Sequence, residues 1–127
     1  MKTKGIQKEI KEKVESIVSQ FNEKTFKKND CYYVARFNGK FLYLDRNDYG
    51  KIGPICRLTY NGKMNDWDFA IFKWSREIYD PDEWMFPGAK HIDGTVEGAM
   101  KAGLEAYPLS EGFGDLLSNM SKIFGFK

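Results

Sequence analysis

At 127 residues the chain is the size of one domain, long enough to bury a core without disulfide or metal staples. Its 42% hydrophobic and 30% charged residues exclude a disordered chain, and a net charge of +2 gives no case for nucleic acid by itself. No apolar run is long enough to span a bilayer, and the Lys- and Glu-interrupted start lacks the apolar stretch of a signal peptide. The expectation is a single cytoplasmic domain over residues 1–127, with no membrane contact and with Cys31 and Cys56 as reduced thiols.

Ile6, Ile10, Val14, Ile17 and Phe21 recur at helical spacing, with Lys and Glu between them, and predict an amphipathic first helix. Charge is uneven along the chain. Residues 1–28 hold eight Lys against four Glu, whereas residues 76–97 hold six acids against Arg76 and Lys90. The lysines suit a solvated helix face.

From Cys31 the pattern changes to that of strands. Two apolar-aromatic runs, 31–37 and 40–46, flank Asn38-Gly39, the dipeptide that favours a type I′ hairpin. That turn pairs Phe37 with Lys40, Ala35 with Leu42 and Tyr33 with Leu44 on one face, and Arg36 with Phe41 and Val34 with Tyr43 on the other. Residues 47–54 read as a loop, 55–60 as a third strand and 67–75 as a fourth whose two faces both need cover.

Asp80-Pro81 and Pro87-Gly88 mark turns in a long acidic and aromatic connection. Thr95 then reads as the N-cap of a second helix, 96–107, with Pro108 past its end. Gly98, Ala99, Ala102, Gly103 and Ala106 give this helix a small face, as a close approach to a sheet or helix requires, and Val96, Met100, Gly103 and Tyr107 form the contact stripe. In the tail, 110–127, Phe113, Leu116, Leu117, Met120, Ile123 and Phe124 form an amphipathic pattern for an appended or frayed helix. The fold expected is α+β: a four-stranded antiparallel meander with an N-terminal helix and one or two C-terminal helices.

Chemistry-bearing motifs are sparse. There is no C-x-x-C or H-x-x-x-H pair and no Gly-rich phosphate loop, so neither metal nor cofactor is expected. Both cysteines lie in strands as small apolar residues, which argues against a thiol nucleophile paired with His91. Two readings of function remain. In the first the chain is a non-enzymatic binding module that self-associates or takes a protein partner. Nucleic acid is among its candidate partners, because Arg36, Arg57 and Lys73 lie on strands among aromatics that could stack on bases. In the second it is a small enzyme or small-ligand binder with a groove at the acidic-aromatic loop 77–93, where Asp80, Glu83, Trp84 and His91 supply the polar and stacking groups. Turn chemistry and pinning of the loop to the core account for the same residues.

In outline, strands carrying an Asn-Gly-Lys hairpin (38–40) and followed by an Ala-rich helix resemble the three-strand-plus-helix DNA-binding domains of plant ethylene-response factors and of integrase arm-binding domains. The resemblance spans residues 32–107 as architecture, and it implies a sheet that meets DNA. The twenty or so largely acidic residues between strand and helix depart from the short link of those domains. It assigns no binding residue.

Overall fold

The computed structural model describes residues 5–26 and 30–109. Helix α1, Lys8–Thr25, buries Ile10, Val14, Val18 and Phe21, while Ile17 packs half-buried against the same core. Glu9 in its first turn and Lys24 in its last suit the helix dipole.

Five antiparallel strands follow in meander order: β1 Cys31–Asn38, β2 Phe41–Asp48, β3 Lys51–Tyr60, β4 Trp67–Lys73 and β5 Ile78–Asp80. The α+β class and the meander are as expected, with β5 as an added short edge strand. The register of the first hairpin differs from the expectation. Asn38 pairs with Phe41, Phe37 with Leu42 and Ala35 with Leu44, so the two-residue loop is Gly39-Lys40. Gly39 has φ 61 while Lys40 is not at positive φ, a type II′ pattern in which only the first loop residue needs glycine.

Residues 47–54, expected as a loop, are mostly strand. Tyr49 (φ 54) and Gly50 (φ 97) close a second tight hairpin of the I′ kind. The glycine and proline that suggested a loop sit at a bulge: Leu44 pairs with Cys56 but Asp45 with Pro54, leaving Ile55 as the extra residue. A bulge tolerates Pro54, which has no N–H to give the ladder. It also turns Ile55 and Cys56 together into the core.

Helix α2, Val96–Ala106, begins at Thr95, whose hydroxyl accepts from Gly98 N–H at 2.9 Å. Its expected stripe, Val96, Met100, Gly103 and Tyr107, is buried. The Tyr33 hydroxyl donates to the Met100 carbonyl at 2.7 Å, and that of Tyr107 donates to the Phe72 carbonyl. Both α1 and α2 therefore pack on the face of the sheet made by Tyr33, Leu42, Leu44, Cys56, Leu58, Phe69 and Ile71. The connection after β5 returns to this side too, stacking Phe86 on Phe69. No described helix lies on the opposite face. Two helices on one face of five strands depart from the three-strand-plus-helix plan. Among the described residues, no helix is long and apolar enough to cross a membrane. The tail expected at 110–127 lies outside the described residues.

Candidate binding face of the sheet

The face without helices follows from strand alternation. Residues of β1 and β2 that do not point at α1 and α2 are Tyr32, Val34, Arg36, Phe41, Tyr43 and Asp45, and the register extends this set through Arg57 and Thr59 on β3, Asp68 and Ala70 on β4, and Tyr79 on β5. One register row holds Arg36, Tyr43, Arg57 and Ala70. The next holds Val34, Asp45 and Pro54, with the Phe72–Tyr79 pair beside them, and the row beyond holds Tyr32, Asn47 and Ile52.

Arginines and rings interleave across this surface. Arg36 lies 4.5 Å over the Tyr43 ring and pairs with Asp45 at 2.9 Å, a carboxylate contact that pushes its pKa further up. Arg57 lies 4.8 Å from the Phe41 ring centre and 5.6 Å from that of Tyr79. Tyr43 and Phe72 both pack on Tyr79, at 5.3 and 5.0 Å between ring centres. Burial, and then the Asp45 carboxylate, push the Tyr79 phenol up, so it stays neutral at physiological pH. Arg57 Nε is buried with no hydrogen-bond partner among the described residues, while its guanidinium lies against the Phe41 and Tyr79 rings. At one end Ile52 stands 63% exposed.

The residues singled out from sequence separate in space. Arg36 and Arg57 share one row of the open face, whereas Lys73 has register parity with the helix-covered face and pairs with Glu83 at 2.8 Å. Asp80 pairs with Arg76 at 3.5 Å and accepts from the Asp82 N–H, the turn role that its Pro81 neighbour suggested. Glu83 also accepts from Met85 N–H, while Trp84 is 51% exposed. His91 pairs with Glu105 at 2.7 Å and holds that carboxyl below its usual range. It lines a cavity of about 400 Å³ with Lys90, Asp93, Thr95, Glu97 and Lys101, and Asp80, Glu83 and Trp84 are not part of that lining. Sequence reasoning put Tyr79 with the loop aromatics and Phe41 and Tyr43 on a face that the second helix could leave uncovered, but it did not join Tyr79 and Arg57 to them, because the position of α2 decides which side is open.

Neither thiol has the surroundings of a nucleophile. Cys31 and Cys56 are both buried and unbridged, and burial drives the Cys56 thiol far up. No group of three or more His, Cys, Asp or Glu able to hold a metal ion occurs among the described residues. No family model matches the chain, and neither a curated protein nor a solved structure does.

Proposed function

We propose that the chain is a non-enzymatic binding module that works through the open face of its sheet. The observation that carries this reading is the placement of both helices on one side, while the other holds half-buried rings, two arginines and the exposed Ile52. Apolar area of this kind gains by being covered, whereas an enzyme would gather perturbed acids and bases in a cleft. The groups with raised pKa values here, apart from the two arginines, are tyrosines and a cysteine lifted first by burial. Two free thiols suit a reducing, cytoplasmic setting.

Nucleic acid is the second reading, favoured by Arg36 and Arg57 standing in one row beside Tyr43. Its signature is affinity that falls steeply with salt, by roughly one counterion per neutralised phosphate. The deciding experiment measures molar mass by light scattering, together with the 260/280 nm absorbance ratio, at low and high salt. Association that Tyr43→Ser abolishes and His91→Ala leaves intact upholds the open face. The reverse pattern moves function to the cavity beside His91.

A further inference from the structure

We propose that the occupant of the open face is the same face of a second copy of this chain, related by a two-fold axis. This rests on the reading of that face as the working surface and adds the partner. Charge is the first argument. The face carries Arg36 and Arg57 against Asp45 and Asp68, two cations and two carboxylates, so it is self-complementary in sign. A polyanion lying across it would meet Asp45 and Asp68 and gain little net attraction.

Geometry is the second argument. A two-fold lying in the face and perpendicular to the strands sets the Arg36–Tyr43–Arg57 row on the partner's Val34–Asp45–Pro54 row, strand on like strand, so Arg36 faces Val34, Tyr43 faces Asp45 and Arg57 faces Pro54, and no arginine faces another arginine. The same operation sets the Tyr32–Asn47–Ile52 row on the partner's Asn38–Phe41–Thr59 row, covering Ile52 with Thr59 and Phe41 with Asn47. Packed sheets of this kind align their strands within about 30°.

Area is the third argument. Strands spaced by about 4.8 Å and rising by about 3.4 Å per residue make a patch roughly 20 Å on a side. Its corrugated surface is on the order of 600 Å² per copy, which reaches the lower end of specific interfaces at about 1,200 Å² in total. Interfaces at this lower end of the size range suit a transient dimer, whose population varies with concentration.

Sedimentation velocity on the full chain from about 1 to 500 µM, with hydroxyl-radical footprinting at both ends of the range, tests this; the range brackets a micromolar dissociation constant. Expected is a monomer–dimer equilibrium in which Tyr43, Ile52 and Tyr79 become protected as the dimer forms. Tyr43→Glu weakens it at least tenfold. Ile52→Lys, at a position exposed enough to leave folding intact, does the same. A dimer that both variants leave unchanged overturns the proposal and the open-face reading together. A monomer that binds a single-stranded oligonucleotide, and loses it on Tyr43→Glu, overturns the second copy but keeps the face as the working surface. A monomer whose Ile52 is protected at every concentration overturns both, because the face is then covered from within the chain.

Discussion

Among the described residues, Arg46 is the one charged residue buried among the core side chains. Burial opposes its charge, yet Asp48 accepts from its Nε and from one terminal nitrogen at 2.6 and 2.9 Å, the Tyr33 ring lies 5.6 Å away, and its pKa is raised. It also donates to the Tyr107 carbonyl at the end of α2, tying that helix end to β2. Arg46→Met leaves Asp48 and the Tyr107 carbonyl without this donor, and is expected to cost on the order of 3 kcal/mol in urea unfolding, with Arg46→Lys recovering little because lysine cannot span both acceptors. Asp93 makes a smaller, pH-dependent contribution. The Thr95 hydroxyl donates to its carboxylate at 2.6 Å and the Thr95 N–H at 3.1 Å, and these bonds, the hydroxyl first, hold the carboxyl below its usual range. A pKa depressed by folding gives stability above the unfolded value of about 3.9 that is lost as pH falls through the lower folded value. Asp93→Asn therefore lowers Tm slightly at pH 7, and the difference from the parent closes as pH falls through the depressed folded pKa.

Gly103 shows how an element is placed by what one residue lacks. A Cβ there would come within 2.5 Å of Ile55 Cγ2 and of the Tyr33 hydroxyl, so the small face read from sequence is the surface on which α2 meets the sheet. Gly103→Ala gains about 1 kcal/mol of helix propensity. Overpacking typically costs 1–3 kcal/mol, and here the clash falls on a buried hydrogen-bonded tyrosine, so the expected net effect is a loss of about 1–2 kcal/mol in chemical unfolding. The helices were legible because their stripes, the Thr95 cap and Pro108 agree. The first hairpin was legible in its faces but not in its register. Sliding the pairing by two residues keeps each side chain on its own side, so the apolar pattern is blind to the choice between an Asn38-Gly39 and a Gly39-Lys40 loop. The second hairpin was hidden because it places Tyr49, an unusual residue for positive φ, ahead of Gly50. The edge strand β1 has a guard that no local pattern announces: the Asn22 side chain accepts from Tyr33 N–H at 2.8 Å and donates to its carbonyl at 3.1 Å, taking the place of a neighbouring strand.

Across the whole molecule, the layering makes stability uneven. Alternating aromatics on β1, β2 and β4 showed that both sides of the sheet carry apolar groups, but whether α2 joins α1 or covers the other side depends on long-range contacts such as that of Tyr33 with Met100, 67 residues on. That is why the sequence leaves open whether one face is uncovered. The two thiols sit at different depths in the resulting structure: Cys31 begins the edge strand and lines the groove between α1 and β1, whereas Cys56 lies on the central strand under α2 with no exposure. Edge segments open by local fluctuation and central ones only when the core comes apart. With a thiol reagent in excess under native conditions, Cys31 is expected to react at least tenfold faster than Cys56, and the free energy of opening inferred at Cys56 should equal the global value from urea unfolding. Cys31→Ser leaves the slow phase, and Cys56→Ala leaves the fast one. Equal rates would mean that β1 and the sheet centre open together, so that α1, β1 and the helix-covered core form one cooperative unit.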